Sequence, residues 1–393
     1  MNNRFNKYVK KLSQIDEENY TLVKYFLYPN SKKSTLLNLA TEIAIGQSVG
    51  NPYIKSNLES NSLIEKYGAM VISDLSDKLT KKMGYVTIAF PQINSNFEKD
   101  GLNHFMCQIQ GGNLDINSFK VCQVKSIKFS NKTKKKLYLK KPGINGIRKF
   151  LKIKDDPLAG AIIKPKVGLT PNRLLDVIKN LVDGGANIIK EDEILSDPTY
   201  CSLEKRSEII TNYLQKIQHK VVYLFCINSD PLQTFKKFKH LSKIGANGIH
   251  LNFWSGLGMY RNLRQLNKKI FILYQKSGER IITNKKNNFN ISFSALVDLV
   301  SLSGVDIMHA GMIKGYTDDT LEELKIYSSK LQNSNIFPSF SCGLRPEHIK
   351  FLSKNFTNNY VANSGSFVNA HPNGPKAGIN EIVKSILKLN KRN

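Results

Sequence analysis

From about residue 159 to the end of the chain, short runs of apolar and β-branched residues alternate with longer segments that have apolar residues at helical spacing. Several helical segments end in glycine just before the next apolar run, as at Gly185, Gly245 and Gly304, where a helix C-terminus belongs. Eight such strand–helix repeats are typical of a (β/α)8 TIM barrel. The eight predicted strands are residues 161–164, 186–190, 221–227, 248–253, 270–274, 306–309, 336–340 and 360–362.

The pattern before the barrel is different. Residues 36–46 have helical spacing, whereas residues 69–74, 85–90 and 119–139 alternate as strands do. A small α+β domain of the ferredoxin-like type fits this mixture. We therefore predict an α/β protein with an α+β N-terminal domain over residues 1–145 and a catalytic barrel domain over residues 146–393.

The composition narrows the classes of protein that fit. The chain has 393 residues, 41% hydrophobic and 23% charged, which is close to globular averages. It has no run of about 18 apolar residues such as a membrane-spanning helix needs. The five cysteines are scattered and form no CxxC pair, which argues against a disulfide framework and for a reducing compartment. A cytoplasmic globular protein is expected.

The net charge of +27 raises the possibility of nucleic-acid binding. The excess lysine is spread over both predicted domains, and the one dense cluster, residues 132–141, is interpreted as a solvated strand or loop. No DNA- or RNA-binding motif accompanies it. We therefore expect neither nucleic acid nor membrane as a partner, although a basic surface would attract a phosphorylated small molecule.

The most informative polar cluster follows the second predicted strand, where Lys190 precedes three carboxylates, Glu191, Asp192 and Glu193. Reactive groups in a TIM barrel lie at the C-terminal ends of the strands, and alternate side chains there project into the barrel mouth. Carboxylate oxygens suit a hard cation such as Mg²⁺. A solvated acidic loop is the other interpretation, but three adjacent acids in so basic a chain favour the metal site.

Further candidates follow other predicted strands. A histidine directly after the sixth strand suits substrate contact or acid–base chemistry. Small residues after the seventh and eighth strands offer backbone N–H groups where barrels commonly bind phosphate. Lysines after the first strand are weaker candidates because lysine is abundant. These residues are Lys164 and Lys166, His309, Ser341 and Gly343, and Gly365 and Ser366.

Taken together, these segments resemble the RuBisCO large-subunit superfamily over about residues 41–384. AIIKPKVGLT (161–170) resembles the family's first lysine motif, and GGANIIKEDE (184–193) resembles its carbamylated-lysine and metal motif. IGQSVGN (45–51) and GGN (111–113) resemble segments that reach a neighbouring subunit's active site. Each motif alone is weak, but their number and order make the resemblance strong. Later matches are residues 245–253, 306–315, 339–343 and 363–378.

The resemblance implies that CO2 carbamylates Lys190, which then binds one Mg²⁺ per active site together with Asp192 and Glu193. A metal so placed would polarise a substrate carbonyl and ease proton removal from the neighbouring carbon, giving an enediolate. The resemblance also implies a homodimer or higher homo-oligomer with the active site at the subunit interface. The further roles it implies are acid–base catalysis by Lys164, substrate contacts by His309 and Lys166, an anion site from Ser341, Gly343, Gly365 and Ser366, and a contribution by Asn113 from the partner subunit.

Several departures separate the chain from true carboxylases. Tyr316 stands where the loop after the sixth strand carries a lysine, and Tyr274 and Gln275 stand in place of a His-Arg pair. Gly46 and Asn51 replace a glutamate and a threonine. Without the loop lysine CO2 addition loses its stabilising group, and without the arginine a second phosphate site is weakened. The chain therefore resembles the RuBisCO-like, or form IV, proteins rather than CO2-fixing carboxylases.

Three functions remain. The first is Mg²⁺-dependent enolisation or isomerisation of a mono-phosphorylated ketose or keto compound, as with methylthio-sugar phosphates in methionine salvage. The second is metal-dependent decarboxylation or cleavage of a β-keto sugar acid phosphate. The third is a non-catalytic regulatory protein that retains the barrel, against which stands the joint presence of the lysine, carboxylate and histidine candidates. The sequence leaves open whether Lys314 or Lys276 replaces the lost cationic groups.

Overall fold

The computed structural model describes residues 2–317 and 319–390. The chain forms two compact units. The first comprises residues up to 138 together with residues 279–302, and the second comprises residues 139–278 and those from 303 onward. Over the described residues no helix is both long enough and apolar enough to cross a membrane. All five cysteines are free thiols.

The first unit is built on a six-stranded sheet in the order β1-β3-β4-β2-β5-β11. Strand β2 pairs antiparallel with both β4 and β5, and β11 pairs parallel with β5 at the edge. The strands are β1 (Val9–Lys10), β2 (Tyr20–Pro29), β3 (Met70–Ile72), β4 (Gly84–Pro91), β5 (Phe119–Lys128) and β11 (Phe289–Ile291). The helices are α1 (Asn2–Asn6), α2 (Leu36–Gly46), α3 (Asn61–Tyr67), α4 (Gly101–Ile109), α5 (Asn131–Leu137), α11 (Arg280–Thr283) and α12 (Phe293–Val300).

Sheet and helices of this unit share a small apolar core. Ile45 of α2 and Ile64 of α3 are buried against Leu22, Met70 and Ile72 of the sheet. Helix α2 has the predicted bounds, and β3 and β4 lie where the alternation placed strands. This combination of helices with a mixed sheet, antiparallel at its centre and parallel at both edges, is the predicted α+β architecture.

One predicted element of the first unit is wrong. The strand expected over residues 119–139 ends at Lys128, and α5 follows in place of the expected solvated strand or loop. The hydroxyl of Ser130 accepts a hydrogen bond from the backbone N–H of Thr133 and caps the helix. Thr133 and Leu137, four residues apart, give α5 its buried face, so helical spacing prevails over the alternation of neighbouring residues.

The second unit contains a closed barrel of eight parallel strands, which confirms the predicted TIM barrel. Gly185 and Gly245 have positive φ angles of 94° and 79° at helix ends, as predicted. The barrel strands are β6 (Leu158–Ile162), β7 (Ile188–Lys190), β8 (Val222–Cys226), β9 (Gly248–Asn252), β10 (Phe271–Gln275), β12 (Ile307–Gly311), β13 (Phe337–Phe340) and β14 (Val361–Ser364). Its helices are α6 (Gly143–Leu151), α7 (Pro171–Asp183), α8 (Leu203–Lys216), α9 (Pro231–Lys243), α10 (Leu257–Leu266), α13 (Leu321–Asn333), α14 (Pro346–Asn355), α15 (Ser366–Asn369) and α16 (Gly374–Asn390).

The barrel is apolar at one end and polar at the other. Inward residues near the starts of the strands, such as Ile188, Val222 and Phe337, form one buried cluster with Ile144 and Ile147 of α6. Burial of this cluster closes the N-terminal end of the barrel. The C-terminal ends of the strands are left to carry polar side chains.

Candidate active site

At the end of β7, strand alternation points the side chains of Lys190 and Glu191 to opposite sides of the barrel wall. Lys190 points into the barrel and is 1% exposed, whereas Glu191 turns the other way and is fully buried. The Glu191 carboxylate accepts two hydrogen bonds from the Arg206 guanidinium of α8, at 2.8 and 3.0 Å. It also accepts from the Tyr223 hydroxyl at 3.1 Å and the Cys226 backbone N–H at 2.8 Å. Glu191 therefore anchors the strand end and leaves the mouth to the next two carboxylates.

Two lysine–carboxylate pairs lie at the mouth. Lys164, after β6, places its Nζ 2.5 Å from Oδ2 of Asp192. Lys190 places its Nζ 3.4 Å from Oε2 of Glu193 and donates to the Glu191 backbone carbonyl at 2.9 Å. Asp192 is 2% exposed and Lys164 27%. The predicted residues on these two strands therefore lie together, with each carboxylate neutralised by an amine.

Glu193 is held as a carboxylate. Burial alone would raise its pKa, but the charge of Lys190 and a hydrogen bond from the Ser277 hydroxyl outweigh burial and lower the pKa to about 2. The Ser277 hydroxyl donates at 2.7 Å and the Gln275 amide at 3.2 Å. A negatively charged, doubly hydrogen-bonded oxygen donor thus faces the barrel mouth near neutral pH.

The fifth barrel strand contributes Gln275 and not Tyr274. The Tyr274 ring packs against Tyr260 of α10, with ring centroids 5.2 Å apart, on the helix side of the strand. Gln275 faces the barrel interior, where it reaches Glu193. The positive charge of the next residue, Lys276, contributes to lowering the pKa of His309, so this cation acts on the site.

His309 lies on β12 and is 7% exposed. Its Nε2 is 2.6 Å from the Ser341 hydroxyl and 3.6 Å from Sγ of Cys342. Burial, followed by the charges of Lys276 and Lys190, lowers the pKa of His309 to about 3. The imidazole is therefore neutral at physiological pH, with one N–H donor and one lone-pair acceptor.

A cavity of about 260 Å³ opens between the loops after β13 and β14. Gly343, Gly365 and Ser366, three of the four residues expected to form an anion site, line it, whereas the fourth, Ser341, contacts His309. A Cβ on Gly365 would lie 3.6 Å from Cε of Lys164, so the cavity adjoins the lysine. The remaining lining residues are Tyr316, Leu344, Arg345, Phe367, Ala370, His371 and Pro372.

Arg345 was missed by the sequence reasoning. It precedes α14 and supplies a cation beside the two glycines. Its position two residues after Gly343, just before a predicted helix, is the signal that could have identified it. Because an arginine pairs well with a phosphate, its presence strengthens the anion-site interpretation.

The loop after β12 folds onto the loop after β13. The backbone N–H of Tyr316 donates to the Cys342 carbonyl at 2.9 Å. A Cβ on Gly315 would lie 2.1 Å from the same oxygen, so this close approach requires glycine. Lys314 is exposed, with a φ of 54°. Tyr316 therefore lines the anion cavity from the loop position where a carboxylase carries a lysine.

Two predicted site residues remain, Lys166 and Asn113. Lys166 is exposed on the segment after β6 and lines a small cavity next to Asp192. Asn113 belongs to the first unit, and its side chain lies outside the described residues. The contribution predicted for Asn113 from a partner subunit stays a prediction.

The donor set fits Mg²⁺ only if Lys190 is modified. Within the described part of the chain, no group of three or more His, Cys, Asp and Glu side chains could hold a metal ion. Asp192 and Glu193 supply two carboxylates, and carbamylation would turn Lys190, which pairs with Glu193, into a third anionic oxygen donor. His250, on the interior of β9, is fully buried, and neither of its ring nitrogens makes a hydrogen bond of good geometry. The barrel interior thus contains a histidine whose ring nitrogens do not hydrogen-bond to the unmodified Lys190.

Residues 143–386 match the family model of the ribulose bisphosphate carboxylase large chain, catalytic domain. The chain belongs to the RuBisCO large-chain family. This membership confirms the resemblance inferred from the motifs, and the matched residues include every candidate side chain of the barrel mouth. The RuBisCO fold also explains why a small α+β unit accompanies the barrel.

The family members to which this chain is similar include proteins named for two different activities. The chain is 26% identical to the ribulose bisphosphate carboxylase of Thermococcus kodakarensis over 332 residues, 77% of this chain and 73% of that one. It is also 26% identical to the 2,3-diketo-5-methylthiopentyl-1-phosphate enolase of Microcystis aeruginosa over 360 residues, 89% of each chain. Among solved structures, the dimeric archaeal Rubisco of Hyperthermus butylicus superposes with a TM-score of 0.87 at 21% identity, covering 99% of this chain and 94% of that one.

Proposed function

We propose that this RuBisCO-family member is a Mg²⁺-dependent enolase or isomerase of a mono-phosphorylated keto compound and not a CO2-fixing carboxylase. The observation that carries the proposal is the joint placement of Lys164–Asp192 and Lys190–Glu193 at one barrel mouth, near the anion cavity after β13 and β14. The 2,3-diketo-5-methylthiopentyl-1-phosphate enolase relative, matched over 89% of both chains, supports an enolisation of the methionine-salvage type.

Carbamylated Lys190, Asp192 and Glu193 would hold Mg²⁺, which supplies Lewis-acid polarisation of the substrate carbonyl. Lys164, whose ammonium pairs with Asp192 at 2.5 Å, would serve as the base. After its ammonium has given one proton to solvent, the amine would take a proton from the carbon next to the carbonyl. The energetic cost of this step falls because electron density moves toward the polarised oxygen.

His309 would orient the substrate from the opposite side of the barrel. Its ring is neutral, so it neither repels the cation nor needs to be deprotonated before it hydrogen-bonds a substrate oxygen. The Ser341 hydroxyl, 2.6 Å from Nε2, fixes the ring's direction and can exchange a proton with it. His309 and Ser341 act as a unit in this proposal.

The anion cavity would bind the one phosphate. Gly343 and Gly365 leave room for close backbone approach, and Arg345 supplies a positive charge. Leu344 and Phe367 give the same cavity apolar walls. A bisphosphate is disfavoured because Gln275, an uncharged amide, takes up the inward position at the end of the fifth barrel strand.

The proposal includes a homodimer or higher homo-oligomer that brings Asn113 to a neighbouring barrel mouth. The dimeric Hyperthermus butylicus Rubisco, which has the same fold, supports this arrangement. Sedimentation equilibrium at micromolar concentration is expected to give at least the mass of a dimer. A monomer under these conditions would rule out a shared active site.

Proton–deuterium exchange followed by NMR tests the reaction. The protein is incubated in D2O with Mg²⁺ and bicarbonate and a panel of ketose monophosphates, methylthio-ketose phosphates and β-keto sugar acids. Exchange beside one substrate's carbonyl is expected, and Lys190→Ala should abolish it. Lys179→Ala, at an exposed position on α7, is the matched control and should exchange normally.

The outcomes separate the candidate functions. CO2 release from a β-keto acid without exchange on the ketoses would favour the decarboxylase. Absence of both exchange and bicarbonate-dependent Mg²⁺ binding would contradict an enzyme and favour the non-catalytic, regulatory alternative. Incorporation of labelled CO2 into a product would contradict the exclusion of carboxylation.

A further inference from the structure

His250 is a buried histidine on β9 that the proposed mechanism does not use. It is fully buried, and neither Nδ1 nor Nε2 makes a hydrogen bond of good geometry. The Glu191 backbone carbonyl lies near the ring, but it already accepts a hydrogen bond from Lys190 Nζ at 2.9 Å. Burying a polar group without a partner costs free energy. A hydrogen-bond acceptor that appears only when Lys190 is modified would remove this cost.

Strand register brings His250 close to Glu193. His250 is level with Cys226 on β8 and with Leu273 on β10, and both neighbours point inward. The Cys226 thiol donates to the Glu193 backbone carbonyl at 3.4 Å. Gln275, two residues beyond Leu273, reaches the Glu193 carboxylate. Strands β8 and β10 therefore flank Glu193, and His250 lies on the strand between them.

The charges around the ring agree with this placement. The charges of Lys190 and Glu193 and the backbone carbonyl of Glu191 all act on the ring. An imidazole carries at least one N–H donor in either of its protonation states. Such a donor suits an anion at this position, and Lys190 becomes one when it is carbamylated.

We infer that His250 is a positioning residue for the carbamate on Lys190, to which one of its ring nitrogens donates its N–H. This inference rests on the carbamate of the proposed function. The ammonium of Lys190 loses one proton, the amine lone pair forms an N–C bond with CO2, and one C–O π pair moves onto oxygen. The second N–H proton then leaves, so CO2 is consumed and two protons pass to solvent.

The change of charge explains why a donor is needed. Lys190 goes from +1 to −1, so its attraction to Glu193 becomes repulsion between two anions before any metal binds. A hydrogen bond to the carbamate from His250 offsets part of that repulsion. Hydrogen bonds to charged groups correspond to roughly tenfold or more in an equilibrium constant.

A titration with ¹³C-labelled bicarbonate, followed by ¹³C NMR of the carbamate resonance, tests the inference without reference to activity. Lys190→Ala should remove the resonance and so assign it. His250→Leu should raise the CO2 concentration for half-carbamylation at least tenfold, whereas His250→Gln, which keeps an N–H donor, should stay within about threefold of wild type. His250→Met is a second apolar variant should the leucine fail to fold.

Thermal melting without CO2 separates a positioning role from a structural one. His250→Leu should melt at the same or a higher temperature than wild type, because it removes unpartnered buried nitrogens. Thr211→Val is the matched control, since the Thr211 hydroxyl is also buried without a partner, on α8. It should leave carbamylation unchanged.

Two results would contradict different claims. An unchanged half-carbamylation in His250→Leu, with a normal resonance in wild type, would overturn the role of His250 alone. Absence of the carbamate resonance in wild type would overturn the carbamate of the proposed function and this inference with it.

Discussion

Replacement of Arg206 by methionine should destabilise the protein strongly. Arg206 and Glu191 form an ion pair whose side chains are both fully buried, with two hydrogen bonds between them. Burial alone would lower the pKa of Arg206, but the Glu191 carboxylate outweighs it and raises the pKa. Methionine fills much of the same volume, so the main effect of the change is to leave the Glu191 charge without its cation.

The magnitude follows from what remains around Glu191. Only the Tyr223 hydroxyl and the Cys226 N–H would still donate to its carboxylate. Removing one partner of a buried ion pair costs about 3–5 kcal/mol, a large share of the 5–15 kcal/mol that stabilises typical domains. For a unit of this size the corresponding fall in melting temperature is roughly 10 °C.

Urea denaturation monitored by circular dichroism measures the change, with Arg173→Met on the exposed face of α7 as the matched control. The control should lie within about 0.5 kcal/mol of wild type. The double variant Glu191→Leu/Arg206→Met should be more stable than the sum of the two single losses predicts, by about 2 kcal/mol or more. Additive losses, or a loss below about 1 kcal/mol for Arg206→Met, would refute the anchoring role.

Four further predictions concern two acid-sensitive groups, the loop after β12 and the anion cavity. The pKa of about 3 for His309 lies below the ordinary value near 6.5, so the unfolded state binds more protons and stability falls as pH drops from about 6.5 toward 3. In unfolding measurements against pH, His309→Asn should remove about 5 kcal/mol of that decline. The pKa of about 2 for Glu193 gives a second loss as pH falls below about 4.5, which Glu193→Gln should remove in the same curves. Gly315→Ala should displace the loop from the Cys342 carbonyl and speed limited proteolysis there, and an unchanged cleavage rate would contradict the contact. Arg345→Ala should raise the KM for a phosphorylated substrate about tenfold with little change in kcat, and an unchanged KM would exclude it from phosphate binding.

The barrel and the positions of several polar residues at its mouth could be predicted because both depend on local pattern. Lys164, Lys190 and His309 each stand at the end of an apolar run, where a barrel strand ends. The sequence alone therefore places them at the same mouth of the barrel. The alternation that turns Glu191 away from Asp192 likewise follows from strand geometry. Closure of the barrel then makes these residues neighbours.

What the pattern could not predict depends on exact register and on distant partners. Gln275 faces the site and Tyr274 does not, which depends on which alternate side chains of the strand point inward. A run of apolar residues does not show this. His250 reads as an ordinary strand residue until its neighbours on β8 and β10 are known. The lysine-rich segment from Asn131 was misassigned because its helix depends on the Ser130 cap and the burial of Leu137.

The pairing of β11 with β5 has a consequence for how the protein is made. Phe289 pairs with Cys122, so the sheet of the first unit gains its last strand only after the ribosome has translated five barrel strands. At about 5–20 residues per second, the edge of β5 waits roughly 10–30 s for that strand. An open strand edge is a site for unwanted pairing with other chains. The nascent polypeptide therefore passes through a period in which its amino-terminal sheet is formed but not sealed, and chaperone protection would matter most during that interval.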